Sequence, residues 1–539
     1  MKKLIDFLFL ERKYKMTTIS YIYQNQPLHI INSSLERIQN KEDVVAINFT
    51  GNFLNQKNDL TDLFEEILPH FPRIHTLNFS DTSLDDFSFQ YVLQYIPSIP
   101  NIKNLNFGRN IFFYKSLSKL NLLEPCMEQL EELNFDDIEL HYEGVYHLAS
   151  FFHKMKNLKK LSLKCCQLSH NEFIYIAKFI YHLTNLSHLD ISDNSISINS
   201  ANYLLEKLPK NTLTFLNMEM QQVTSSDTSN SSIAHHLRKC SSLETLYWDV
   251  VLDNTILEAI CSVPNLKKLV LSNPSQYLDT THSFSRNLEY IFLTRLSSKN
   301  IESVLNAIPN TIQTLRIENT LLSPSTKKLL LKKMTNYKSL KELGIRYGNI
   351  DNVTFKKMCL ILSGCRDLKD LNFTGNFILD SGFYFFFLNI SKWRKLHFIS
   401  FYNNDISSSI IEKVLPRLNY LKDKPITLFF NNELNIQTIY FEEKINKINQ
   451  LQEIIQKNLQ SKNEMEKILH LKPFIHFVNF FGRGQRTIDQ YNETLQKVKN
   501  VVVQKQKYCK FIRWVEKQNS IKPAIFQFYD LQHLFYEFL

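Results

Sequence analysis

One pattern of eleven residues recurs along most of this chain. Residues 158–168 read LKKLSLKCCQL and residues 186–196 read LSHLDISDNSI, so both fit LxxLxLxx(N/C)x(L/I) at a distance of 28 residues. Fourteen segments fit the frame, and seven of the thirteen steps between them are 28 residues long. Their fourth-position anchors are Ile47, Leu77, Leu105, Leu133, Leu161, Leu189, Leu216, Leu246, Leu269, Ile291, Leu315, Leu343, Leu371 and Ile399. This period predicts stacked units that bury their apolar faces against one another.

The residues within one unit predict its local structure. The alternating LxLx segment is typical of a short strand with its apolar side chains turned inward. Between strands, segments such as 172–180 (EFIYIAKFI) carry apolar residues at helical spacing. The ninth position is expected to satisfy backbone groups where the strand bends away. Asparagine holds that position at Asn52, Asn110, Asn194, Asn376 and Asn404, with Cys166, Thr82 and Thr320 as substitutes.

The pattern resembles that of the leucine-rich repeat proteins, specifically the long, ribonuclease-inhibitor-like class. The resemblance covers roughly residues 41–434. It implies an α/β fold, a leucine-rich repeat solenoid with a curved parallel sheet on the concave face and helices on the convex face. We expect residues 1–40 to form an N-terminal cap without repeats, and residues 435–539 to form an α-helical C-terminal domain.

Two local features depart from the regular repeat. The steps from Leu246 to Leu269 and from Leu269 to Ile291 span 23 and 22 residues, which leaves too little chain for a full helix. We therefore expect a change of curvature near residues 250–315. At the other end of the repeats, residues 425–432 alternate in hydropathy and predict a final edge strand.

Composition and motifs argue against an enzyme. Ten glycines in 539 residues disfavour glycine-rich phosphate loops, and no GxSxG, GxxxxGK[ST] or HExxH motif is found. The eight cysteines form no CxxC pair and no zinc-ligand spacing. We therefore expect no catalytic residues, no metal and no cofactor.

The cysteines and the apolar segments of the sequence also indicate the cell compartment in which the protein is expected. Reduced thiols favour the cytoplasm. The apolar run after Met1 is too short for a cleaved signal peptide, and Met16 is an alternative start. No stretch is long and apolar enough for a transmembrane helix.

The outward positions beside the inward leucines are the candidate binding surface. Aromatic and charged residues occur there together, which is the composition of a protein-binding hot spot. The partner-binding candidates are Phe215, Glu219, Tyr247, Asp249, Tyr290, Phe292, Arg295, Arg316 and Arg346. The alternative is incidental surface aromaticity in an aromatic-rich chain. Asparagine recurs at the central outward position, as a partner contact or as a structural row, at Asn48, Asn78, Asn106, Asn134 and Asn217.

Charge concentrates near the C-terminus. The chain carries +10, and residues 441–539 hold 16 Lys/Arg against 10 Asp/Glu. This excess favours an anionic partner for the C-terminal helices, with a membrane surface preferred to nucleic acid, or else marks a solvated face of a capping bundle.

These observations favour a monomeric, non-catalytic scaffold that recognises a folded protein on its concave face. The overall style also resembles leucine-rich repeat effectors of intracellular bacteria, the Legionella type, which implies delivery into the host-cell cytosol and a host protein as partner. The alternatives assign function to the C-terminal helices: an adaptor, a GTPase or ubiquitin-pathway regulator, or an acidic-lipid binder.

Overall fold

The structure, a computed structural model, describes the repeat region and a short segment before it. The described residues are 17–21, 25–219, 230–250, 252–272, 278–279, 282–414 and 427–429. The choice between Met1 and Met16 and the predicted helical domain at 435–539 lie outside this part. The chain divides into two compact units, Met1–Pro309 and Asn310–Leu539.

Parallel strands follow one another in chain order within each unit. The described strands of the first unit are β1 (Thr17–Ser20), β2 (Val44–Asn48), β3 (Thr76–Asn78), β4 (Asn104–Asn106), β5 (Glu132–Asn134), β6 (Lys160–Ser162), β7 (His188–Asp190), β8 (Phe215–Met218), β9 (Thr245–Trp248), β10 (Lys268–Ser272) and β11 (Tyr290–Thr294). Those of the second unit are β12 (Thr314–Glu318), β13 (Glu342–Arg346), β14 (Asp370–Asn372), β15 (Phe398–Ser400) and β16 (Thr427–Phe429).

The register of these strands follows the sequence frame. Leu161 aligns with Leu189 in the first unit, and Leu343 aligns with Leu371 in the second. All fourteen anchors are buried at 2% exposure or less, and each lies in one of the strands β2–β15. The predicted strands are therefore confirmed, and β16 confirms the predicted final strand within residues 425–432. The chain folds as a leucine-rich repeat solenoid of parallel strands and connecting helices.

Helices connect most of the strands. In the first unit the described α-helices are α1 (Leu28–Glu36), α2 (Lys57–Thr61), α3 (Asp86–Tyr95), α4 (Glu124–Met127), α5 (His141–Ser150), α6 (His170–Ile180), α7 (Ile198–Lys207), α8 (Asn230–Arg238), α9 (Asn254–Cys261) and α10 (Ser298–Ala307). In the second they are α11 (Pro324–Met334), α12 (Asn352–Leu362), α13 (Asp380–Asn389) and α14 (Ser408–Val414). None of the described helices is long and apolar enough to cross a membrane.

Helix α6 shows how the sequence sets these elements. It begins after Ser169, which forms a reciprocal capping box with Glu172. Its buried residues include Phe173, Ile176 and Ile180, which lie on one helical face at spacings of three and four residues. The buried stripe faces the core, and consecutive helices pack against one another on the outer side.

The buried asparagines have the predicted structural role. The Nδ2 of Asn194 donates to the carbonyl oxygens of Leu163, Ile191 and Ser192 at 2.9, 2.9 and 3.1 Å. Its Oδ1 accepts the backbone N–H groups of Cys166 and Leu168, both at 3.0 Å. One side chain thus satisfies five backbone groups of two adjacent repeats. Asn52, Asn110, Asn376 and Asn404 make equivalent contacts.

The eighth position of most described repeats, just after the strand, lies in the left-handed region of backbone conformation. Its φ is 55° at Cys165, 55° at Asp193 and 52° at Tyr347. Glycine holds this position at Gly51 and Gly375, where φ is 73° and 69°. Since the same turn recurs with different residues, the fold imposes it on the side chains.

Two features of the repeat boundaries depart from the regular unit. Residues 1–40 were expected to lack repeats, but Ile19 in β1 aligns with Ile47 in β2, and α1 follows. A strand–helix unit therefore begins at Thr17. The 23-residue step holds an eight-residue helix, α9, against ten residues in α5 and eleven in α6. The shorter step is thus accommodated by a shorter helix, and the expected change of curvature stays a prediction.

Candidate interaction surface

Four predicted partner-binding aromatics lie on neighbouring strands of the first unit. Phe215 is on β8, Tyr247 on β9, and both Tyr290 and Phe292 on β11. All four are half-buried, and they alternate along their strands with fully buried residues such as Leu216 and Ile291. The alternation places them on the outward side of the sheet. We call these four residues the aromatic face.

Ring contacts connect the aromatic face to the preceding strand. The ring centres of Phe215 and Tyr247 are 5.7 Å apart, at an interplanar angle of 48°. Phe215 also stacks on His188 of β7, with ring centres 3.6 Å apart and planes within 7°. Burial lowers the pKa of His188, so this imidazole favours its neutral form and stacks as an uncharged ring.

Strand β10 contributes residues that were not predicted. The Lys268 ammonium lies 5.0 Å from the Tyr247 ring centre and 4.7 Å from the Tyr290 ring centre. Val270 aligns with Tyr247 on one side and Phe292 on the other, and is only 1% exposed. Both occupy outward positions of the repeat frame, so the frame itself was the signal that could have identified them.

Carboxylates lie at the C-terminal ends of the same strands. Asp249 is buried and forms an ion pair with Arg295, Oδ2 to Nη2, at 3.1 Å. Burial and the neighbouring charges of Asp249 and Asp193 raise the pKa of Glu219. Of the predicted contacts at these strand ends, Arg295 is exposed, Glu219 is half-buried and Asp249 is buried.

The remaining predicted residues, Arg316 and Arg346, belong to the second unit. Arg316 pairs with Glu342 at 3.0 Å, and Arg346 pairs with Glu318 at 3.0 Å. Each pair joins β12 to β13. Both arginines are therefore already engaged in ion pairs between adjacent strands.

The outward row of asparagines has a structural role. The Oδ1 of Asn78 accepts the backbone N–H of Ser80 at 2.9 Å, and the Oδ1 of Asn106 accepts that of Gly108 at 3.0 Å. Asn48, Asn134 and Asn217 make the same contact two residues further along the chain. Each asparagine thus stabilises the turn that ends its own strand.

The cysteines of the described part lack the features of activated nucleophiles. Burial raises the pKa of Cys126 to about 11, of Cys240 to about 11 and of Cys261 to about 12. A hydrogen bond to Asp137 and partial burial raise the pKa of the exposed Cys165. Within the described residues, no three His, Cys, Asp or Glu side chains are grouped so that they could hold a metal ion.

The solved structures that are similar to this chain include two bacterial proteins. An internalin of Listeria monocytogenes is 13% identical, with 72% of this chain and 81% of the internalin covered and a TM-score of 0.31. A leucine-rich repeat protein of Leptospira interrogans is 15% identical, with 77% and 97% covered and a TM-score of 0.38. No protein-family model matches the sequence, and no curated protein is similar to it. The fold assignment rests on the strand register and asparagine contacts of this chain.

Proposed function

We propose that this protein is a non-catalytic scaffold that binds a folded partner protein on the aromatic face of its first unit. The observation that carries the proposal is the cluster of half-buried aromatic side chains on β8, β9 and β11, with Lys268 between two of the rings. Aromatic anchors surrounded by polar groups on a rigid sheet have the composition of an interface hot spot.

The charges beside the aromatic face bear on the partner's chemistry. Glu219 lies at the end of β8, and its pKa is raised first by partial burial and then by the charges of Asp249 and Asp193. Lys268 already places an ammonium group near the Tyr247 and Tyr290 rings, so these rings offer the partner their remaining apolar surface. We therefore infer that the partner presents an apolar patch to the rings and a lysine or arginine to Glu219 at its edge.

The test compares two triple variants of the full chain as baits in a eukaryotic cell lysate. In the first, Tyr247, Tyr290 and Phe292 become alanine. In the matched control, Tyr142, Tyr146 and Tyr181 become alanine, since these exposed tyrosines lie on or beside α5 and α6. We expect a protein that the wild type and the control retain and the first variant loses. Equal retention by both variants would contradict the proposal.

The overall resemblance of the sequence to bacterial leucine-rich repeat effectors suggests the cell compartment in which the proposed interaction takes place. We extend the proposal to a bacterial effector of the Legionella type, which acts in the host-cell cytosol as a monomer on a host protein. Expression of the full chain in host cells tests this extension by showing whether the captured partner is a host protein. The alternative functions of residues 435–539, in GTPase or ubiquitin regulation or in lipid binding, concern the part that the structure does not describe.

A further inference from the structure

Charge is divided unequally between the two units. Met1–Pro309 contains 28 Lys and Arg against 33 Asp and Glu, whereas Asn310–Leu539 contains 35 against 20. In residues 310–414, the counts are 16 and 8. The second unit thus has a larger positive charge than the whole chain, which carries +10.

Two consecutive helices of the second unit, α11 and α12, concentrate positive charge, and α13 follows them. α11 and α12 contain six lysines and no Asp or Glu, while α13 contains one carboxylate, Asp380, at its first residue. Asp380 accepts hydrogen bonds from the backbone N–H and the hydroxyl of Ser407. α11 packs against α12, so the lysines of these two helices lie on neighbouring elements, and α13 packs on the other side of α12.

Lysines of this surface are directed to solvent. Lys328 and Lys332 are exposed and lie one turn apart on α11, and Lys357 is exposed on α12. Among the described residues, these three form no ion pair, in contrast to Lys327, which pairs with Asp351 at 3.0 Å. Partial burial, and after it the charge of the neighbouring Lys332, lowers the pKa of Lys333.

Aliphatic side chains are exposed beside these lysines. Val353 and Leu360 on α12 are 63% and 55% exposed, and Leu388 on α13 is 45% exposed. Val353, Lys357 and Leu360 follow one another at spacings of four and three residues, so they form a single stripe on the outer face of the helix. This stripe is both cationic and apolar.

We propose that the outer face of α11, α12 and α13 docks on an anionic lipid bilayer. Lys328, Lys332 and Lys357 lie at the charged headgroups, while the exposed aliphatic side chains enter the headgroup–acyl boundary. Two observations favour lipid over nucleic acid. The cations of α11 and α12 are all lysines, without the arginines that bind phosphates bidentately, and the exposed apolar side chains on α12 and α13 are aliphatic. This proposal does not depend on the aromatic face of the first unit.

Vesicle co-sedimentation of the full chain tests the proposal. The probes are phosphatidylcholine vesicles with and without phosphatidylserine. We expect binding only to the phosphatidylserine vesicles, and weaker binding as salt is raised. The charge variant carries K328E, K332E and K357E, and we expect its affinity to fall by about a hundredfold. The matched control carries K119E, K156E and K239E, three exposed lysines of the first unit, and should bind within about threefold of wild type.

A second variant tests the apolar contribution. Leu360 and Leu388 become serine, and because both are well exposed the fold is retained. We expect its vesicle affinity to fall by about tenfold. Failure of the wild type to bind phosphatidylserine vesicles, equal losses in the two charge variants, or no loss in the leucine variant would overturn the proposal. The proposal would also be overturned if the protein bound a fluorescein-labelled single-stranded DNA more tightly than the vesicles and the same charge variant lost that DNA binding.

Discussion

The side-chain amide of Asn194 joins two repeats by donating to the carbonyl oxygen of Leu163, 31 residues earlier in the chain, at 2.9 Å. The same Nδ2 also donates to the carbonyl oxygen of Ile191, in its own repeat, at 2.9 Å. A buried asparagine of this kind fixes the distance between neighbouring strand ends, and its recurrence in both units makes the strand spacing regular. The sheet that carries the aromatic face depends on this regularity.

Replacing Asn194 with alanine should therefore destabilise the first unit. The variant leaves three carbonyl oxygens and two N–H groups without their buried partner, and we expect a loss of about 2–4 kcal/mol in the free energy of unfolding. Urea denaturation followed by circular dichroism measures it. The control is Asn171→Ala on the exposed side of α6, which should change the stability by less than about 0.5 kcal/mol. Equal effects of the two changes would refute the structural role of Asn194.

The outward asparagines should respond differently to aspartate and alanine. Asn78→Asp keeps an oxygen that accepts the Ser80 N–H, as Asp190 does for Ser192 at 3.0 Å, so it should leave stability nearly unchanged. Asn78→Ala removes the acceptor and should cost about 1 kcal/mol. Thermal unfolding of both variants measures the difference. If the aspartate variant were as unstable as the alanine variant, the turn contact would not be the reason for asparagine at this position.

The left-handed residue at the end of β6 gives a backbone prediction. Cys165 has a φ of 55°, a conformation that β-branched residues strongly disfavour. Cys165→Val should therefore destabilise the protein by about 1–2 kcal/mol, whereas Cys165→Gly should be close to neutral. Both changes remove the thiol and its hydrogen bond to Asp137, so the comparison isolates the backbone. Equal denaturation midpoints for valine and glycine would contradict this account.

Glu219 should make stability depend on pH. Its pKa is raised in the folded protein, first by burial and then by Asp249 and Asp193, so the folded state binds the proton more tightly than the unfolded chain does. Ionisation of Glu219 therefore destabilises the folded state. This destabilisation is absent below the unfolded-state pKa, and it is fully present once the pH exceeds the folded-state pKa. Glu219→Gln should raise the melting temperature at neutral pH and change it little at about pH 4. A gain of equal size at both pH values would show that the carboxylate charge is not its cause.

Much of the fold was predictable because each repeat satisfies the same local rule. Leucines that alternate with polar residues specify the strand, and the ninth-position asparagine specifies its end. Strand β1 was missed since its repeat has Met16 at the first position and Gln24 at the ninth, so only Ile19 of the usual anchors remains. The parallel pairing with β2 stabilises this strand, although its sequence lacks most of the repeat pattern.

The candidate surface was predictable only in outline. The repeat frame located Phe215, Tyr247 and Phe292 on the outward side, because side-chain direction follows the strand period. It did not reveal that Asp249 is buried beneath Arg295 or that Lys268 lies between two rings. These relationships depend on side-chain packing between strands more than 20 residues apart in the chain, which no local pattern encodes.

Site-specific photo-crosslinking tests the central claim most directly. A photoreactive phenylalanine analogue replaces Tyr247 or Phe292 on the aromatic face, or Tyr181 after α6 as a control, and the full chain is irradiated in host-cell lysate. The account predicts that positions 247 and 292 form an adduct with the same protein and that position 181 does not. An adduct of that protein at position 181 alone, or no common adduct at positions 247 and 292, would contradict it.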